Sequence, residues 1–213
     1  MLSPRFRQGA NGHLFINVVQ PGGEGARDVV LMLPPLFEEL NKSRRMYALQ
    51  ARALASRGYV AVLPDPHGVG DSEGSLSTAS MDMWREDLAC VAKWLVDTYS
   101  PKEVHIFAMR SAALFCGLLD VAILPVRSWV LWSPIDRGSK LVRDLFRQAL
   151  IVARNQGNAT VTSKSLREKL SEDGSFEISG YSLPADLVAD LENACLPDEL
   201  STDVDAFWFD VRP

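Results

Sequence analysis

Val104-His-Ile-Phe-Ala-Met-Arg-Ser-Ala-Ala113 is an apolar run that breaks at one arginine and resumes with a different period. Val104–Ala108 reads as a strand buried on both faces, and Ser111–Ala122 as a helix apolar nearly all round. A strand that feeds straight into a helix needs one sharp turn with small residues on either side of its tip. Ala108 and Ala112 fit the small positions and place Arg110 at the tip. Slipping the register by one residue would put Ser111 at the tip and crowd the turn with Met109. The two registers differ in chemistry. A tip serine can be a nucleophile, whereas arginine stays protonated and cannot attack a carbonyl.

The flanking sequence supplies the rest of the layout. Gly9-Ala-Asn-Gly12 is a turn between two short extended pieces, the second being Leu14–Val19. Gln20-Pro-Gly-Gly-Glu-Gly25 is a loop, and Asp28–Leu33 is a second buried strand closed by Pro34-Pro35. Lys42–Arg57 carries Met46, Leu49 and Ala53 on one helical face, with Gly58 as its stop. Tyr59–Leu63 is a third strand, ending in Pro64-Asp-Pro-His-Gly-Val-Gly-Asp-Ser-Glu-Gly74. Ser80 caps a helix with Met81, Trp84, Leu88, Val91 and Leu95 on one stripe. Ser128–Trp132 is a fourth buried strand and Ala206–Val211 a returning one.

Strand alternating with helix predicts a mostly parallel sheet flanked by helices, joined by right-handed crossovers. With the sharp turn after Val104–Ala108, that predicts the α/β-hydrolase fold. The alternation fails between residues 137 and 202, where helical faces such as Leu141, Leu145, Ala149 and Val152 recur. Ser165-Leu-Arg-Glu168 reads there as a capping box, and Ser182-Leu-Pro184 as a helix start. The expected division is a core of 1–136 and 203–213, with 137–202 a helical cap insertion.

Composition narrows the function classes. The chain has 213 residues, 47% of them hydrophobic, and a net charge of −5. No clustered basic surface suggests nucleic acid as a partner. Three well-separated cysteines, Cys90, Cys116 and Cys195, give no disulfide framework and suit a reducing compartment. The N-terminus lacks the apolar core of a signal peptide, and no run approaches the roughly 20 apolar residues of a membrane span. A cytoplasmic location follows as the expectation. No HExxH, paired CxxC or P-loop is present, so no metal or cofactor is expected.

Candidate site residues gather around the turn. In the catalytic reading Ser111 is the nucleophile and His67, whose position also matches a structural loop residue, the base. Backbone N–H groups of Ala112 and the Leu36 region form the oxyanion hole, and Asp136 is a candidate acid. No histidine follows His105, so a nucleophile-acid-histidine triad in that chain order cannot be assembled. In the binding reading Arg110, at a helix N-terminus where positive charge is unfavourable, needs a carboxylate partner. Glu38 and Glu39, in the loop with Leu36 and Phe37, are the nearest candidates. Arg110 then either ties that loop down or holds an anionic ligand.

Four segments carry a family resemblance. They are Leu33-Pro-Pro-Leu-Phe-Glu-Glu-Leu-Asn-Lys-Ser-Arg-Arg-Met46, Gly68-Val-Gly-Asp-Ser-Glu-Gly74, Ala108-Met-Arg-Ser-Ala112 and Glu177-Ile-Ser-Gly-Tyr181. Together they resemble the second α/β-hydrolase associated with the exosortase A system, a bacterial setting of PEP-CTERM protein sorting and exopolysaccharide export. The resemblance implies an α/β-hydrolase acting on a carboxylic ester, thioester or amide, with an arginine at the elbow as at Arg110. It differs where the elbow glycines are replaced by Ala108 and Ala112. It also implies a further helix and strand after the last one here, so a truncated C-terminus with an exposed sheet edge is expected. The alternative is a catalytically inactive protein that binds a small anionic or acyl ligand, or a partner in the sorting pathway. Such an edge also makes a homodimer an expectation.

Overall fold

The computed structural model describes residues 1–22, 28–158, 160–198, 200 and 204–211. Part of the Gln20–Gly25 loop lies outside them. Two antiparallel strands, β1 (Leu2–Gln8) and β2 (His13–Val19), open the chain around the Gly9–Gly12 turn. Then come β3 (Val29–Leu33), α1 (Glu38–Ser56), β4 (Val60–Pro64), α2 (Met81–Tyr99), β5 (Val104–Met109) and β6 (Val126–Trp132). After them come α3 (Gly138–Asn155), α4 (Ser163–Asp173), the hairpin β7 (Ser175–Ile178) and β8 (Tyr181–Pro184), α5 (Ala185–Asn193) and β9 (Asp205–Phe209). The main sheet runs β1-β2-β4-β3-β5-β6-β9, parallel from β4 to β9.

The two-residue period of the strands decides what each face buries. Val29, Leu31 and Leu33 of β3 join Ile106 and Ala108 of β5 in one core with Trp84, Leu88 and Leu95 of α2. Val30, Met32 and Phe107 point the other way, onto Tyr47, Ala51 and Ala55 of α1. On that second face, beyond α1, lies a hollow of about 590 Å³ lined by Tyr59, His105, Phe107, Val130, Trp132 and Phe209.

Strand order reverses at β3, with β4 on one side and β5 on the other. The loops leaving β3 and β5 therefore part at a switch point, where open α/β sheets bind ligands. The segment after β5 differs from expectation: Arg110–Leu118 is a 3-10 helix, shorter than the helix read from sequence. The helix read as starting at Lys42 begins at Glu38, so Glu38 and Glu39 occupy its first turn, where carboxylates favour the helix dipole.

The 137–202 region is not purely helical. Its described residues include the β7–β8 hairpin, and α4 is capped one turn earlier than read, by Thr162 and Ser165. The excursion leaves and returns at one place. Arg137 bridges Cys195, and Leu196 N–H donates to the Asp136 carbonyl at 2.8 Å. Gly138 makes this closure possible, since a Cβ there would lie 1.6 Å from the Leu191 carbonyl oxygen.

Candidate functional site

Arg110 stands at the tip of the turn with φ 54°, a left-handed backbone that costs a non-glycine residue on the order of 1–3 kcal/mol. Phe37, at the start of α1, is also strained, with φ 57°. Glu39, two residues after Phe37, reaches across to the turn. The Glu39 carboxylate accepts from Arg110 Nε at 3.0 Å, from the Ser111 backbone N–H at 3.1 Å and from the Ser111 hydroxyl at 2.5 Å. Leu36 N–H donates to Ser111 Oγ at 2.8 Å. The loop after β3 and the turn after β5 are thus laced together by four hydrogen bonds.

This arrangement fixes what the turn can do. In an elbow of this kind the oxyanion is held by the N–H of the residue after the tip and by an N–H from the β3 loop. Here the first, on Ser111, is bonded to Glu39, and the second, on Leu36, to the Ser111 hydroxyl. Ser111 itself is fully buried, as are Ala108 and Ala112, whose small side chains let the turn pack. The buried Ser111 hydroxyl already donates to one group and accepts from another.

The other residues of the catalytic reading have partners of their own. His67 is buried, its N–H donates to Asp87 Oδ2 at 2.9 Å, and its carbonyl accepts from Trp84 Nε1. Its ring packs on Gly74 so closely that a Cβ there would fall 2.1 Å from the imidazole. His67 Nδ1 has no hydrogen-bond partner among the described residues. Asp136 pairs with Lys140 at 2.5 Å, a contact that holds its carboxyl below the usual range, and sits at the start of α3. Among the described residues no hydrogen bond joins Ser111 to either.

Beside the elbow lies a cleft of about 250 Å³ above the carboxyl ends of β3 and β4. Leu36, Phe37 and Leu40 line one wall and Val69 and Leu76 another. Tyr181, just past the β7–β8 turn, closes the top. Its ring meets Phe37 edge-on at 5.6 Å, its hydroxyl donates to Glu38 Oε1 at 3.2 Å, and Asn41 Nδ2 donates to it at 2.9 Å. Burial, then the Glu38 charge, raises the Tyr181 phenol above its ordinary value and keeps it a donor. Leu36, Phe37 and Glu38 thus belong to this cleft or its rim, Glu39 to the elbow lacing. Tyr181 and Asn41 were not singled out as site residues. Ser179-Gly180, both at positive φ, is the hairpin signal that would have placed Tyr181 there.

Comparison with known proteins gives one partial family match and a wide structural likeness. The model of the X-Pro dipeptidyl-peptidase (S15) family matches residues 12–110, less than half of the chain. No curated protein sequence matches this one. Est1E of Butyrivibrio proteoclasticus, solved with ferulic acid bound, is similar at 10% identity and a TM-score of 0.67, over 97% of this chain and 88% of that one. A protein of Agrobacterium vitis S4 is similar at 15% identity and a TM-score of 0.62, over 98% and 90%. The mouse α/β-hydrolase domain-containing protein 10 is similar at 12% identity and a TM-score of 0.60, over 97% and 88%. Among the described residues no helix is long and apolar enough to cross a membrane. The parallel sheet, its switch point, the strained turn after β5 and these likenesses give one conclusion: the chain has the α/β-hydrolase fold.

Proposed function

We propose that this chain is a ligand-binding protein on an α/β-hydrolase frame, in which the elbow holds the structure together and performs no acyl transfer. The observation that carries this reading is the Glu39 carboxylate seated on the Ser111 N–H, the Ser111 hydroxyl and Arg110. A carboxylate of the chain itself occupies the place where a reaction would develop an oxyanion. The 137–202 segment serves as a cap over the strand ends, with Tyr181 as its contact to α1. Resemblance to the exosortase-associated hydrolases supports a protein-sorting or exopolysaccharide setting for the ligand or partner.

A second reading is favoured by one observation. The 2.5 Å bond from Ser111 to Glu39 would let Glu39 take the serine proton in an ester, thioester or amide hydrolase. The two readings separate on fluorophosphonate labelling of the purified chain beside Ser111→Ala. Absence of labelling on folded protein is the expected result. Labelling that disappears in Ser111→Ala would establish an activated serine and overturn the binding reading.

A further inference from the structure

We infer that the cleft between Phe37, Val69 and Tyr181 is a binding site for a small monocarboxylate with an apolar body, its head on Arg44. The inference rests on the binding reading above and supplies its ligand class. Arg44 is the one charged residue among those that line the cleft, and it makes no ion pair among the described residues. The neighbouring carboxylates have other partners: Glu38 accepts from Tyr181, and Asp65 Oδ2 accepts from Asp71 N–H at 3.0 Å. Asn41, which lines the same cleft, carries an amide with two N–H donors, one of them used on Tyr181. Guanidinium and amide make a donor set that fits a carboxylate, which arginine can grip through two parallel bonds.

The remaining lining selects the body. Leu36, Phe37, Leu40, Val69 and Leu76 present hydrocarbon, so a compact dianion such as phosphate would lose water without finding enough donors. The volume, about 250 Å³, lies just below the roughly 300–1,000 Å³ of ordinary ligand pockets and suits a short chain or one ring. The walls come from three distant stretches, the β3 loop with the first turns of α1, the segment after β4 and the hairpin, so the cleft exists only in the folded chain.

Titration calorimetry of the full chain with hexanoate tests this, with hexanamide as the neutral match and inorganic phosphate as the anion without a body. Hexanoate should bind, hexanamide at least tenfold more weakly, and phosphate should give no heat. Arg44→Gln should weaken hexanoate at least tenfold and leave hexanamide unchanged. Asn41→Asp, which adds a carboxylate to the cleft, should do the same. Lys42→Gln, an equal charge change on an exposed residue outside the lining, should bind as the wild type does. The inference is overturned if hexanoate does not bind, if Arg44→Gln binds it as tightly as the wild type, or if Lys42→Gln weakens it equally. Loss on Arg110→Gln with retention in Arg44→Gln would move the anion to the elbow. That outcome ends this assignment and leaves the binding reading standing, since only fluorophosphonate labelling of Ser111 removes that.

Discussion

Ser111 is tied into the fold on two sides. Its hydroxyl accepts from Leu36 N–H and donates to Glu39, with no exposure to solvent. Ser111→Ala leaves a buried N–H without a partner and strips one donor from Glu39. The unfolding free energy should fall by about 2 kcal/mol, the cost of orphaning a buried polar group, and urea denaturation would show it. A variant as stable as the wild type would mean the lacing holds nothing. The tip register and a glutamate partner for Arg110 were legible, because small residues and an unfavourable charge at a helix start leave few choices. His67 was legible as a loop residue, but its bond to Asp87 and the pairing of Asp136 with Lys140 were not, since both are contacts made in space.

Among elements, strands were easier to read than the region after β6. Continuous apolar runs such as Val29–Leu33 admit little but a buried strand. The β7–β8 hairpin was hidden because its strands have only four residues each and sit between helical patterns. What ties that region together is readable only in three dimensions. Arg167 of α4 makes two hydrogen bonds to Glu192 of α5, at 3.0 and 2.7 Å, and covers the Phe146 ring of α3. The Arg167 contact holds the Glu192 carboxyl below its ordinary value. A carboxyl lowered in the folded state adds stability above its unfolded pKa, near 4.3, and loses it as pH falls through the lower folded value. Arg167→Ala should therefore lower the melting temperature at pH 7, and the gap to wild type should narrow below about pH 4. The ring contact leaves a smaller remainder. A gap independent of pH in a melting series would assign the whole effect to Phe146.

For the whole molecule, the sheet's two ends behave differently. β1 carries charged residues at Arg5 and Arg7 along the first edge, which discourages pairing with another strand. β9, at the opposite edge among the described residues, presents Phe207, Trp208 and Phe209, each at least half exposed. The returning strand was legible in sequence, and its place at the sheet edge among the described residues agrees with the exposed edge that the resemblance implies. Register puts Phe207 opposite Val130 and Phe209 opposite Trp132, so both belong to the sheet face of the 590 Å³ hollow, which Phe209 lines. Apolar area of this kind binds hydrophobic dyes and promotes association. Lysine at both positions keeps a hydrocarbon stem on the sheet while placing charge at the rim. Phe207→Lys with Phe209→Lys should cut bis-ANS fluorescence about twofold and suppress concentration-dependent light scattering. Unfolding free energy should stay within about 1 kcal/mol, since neither ring is buried in a core. Unchanged dye binding would show that the hollow is not the apolar surface the dye reads, whereas a large loss of stability would show that the two rings hold the edge strand in place.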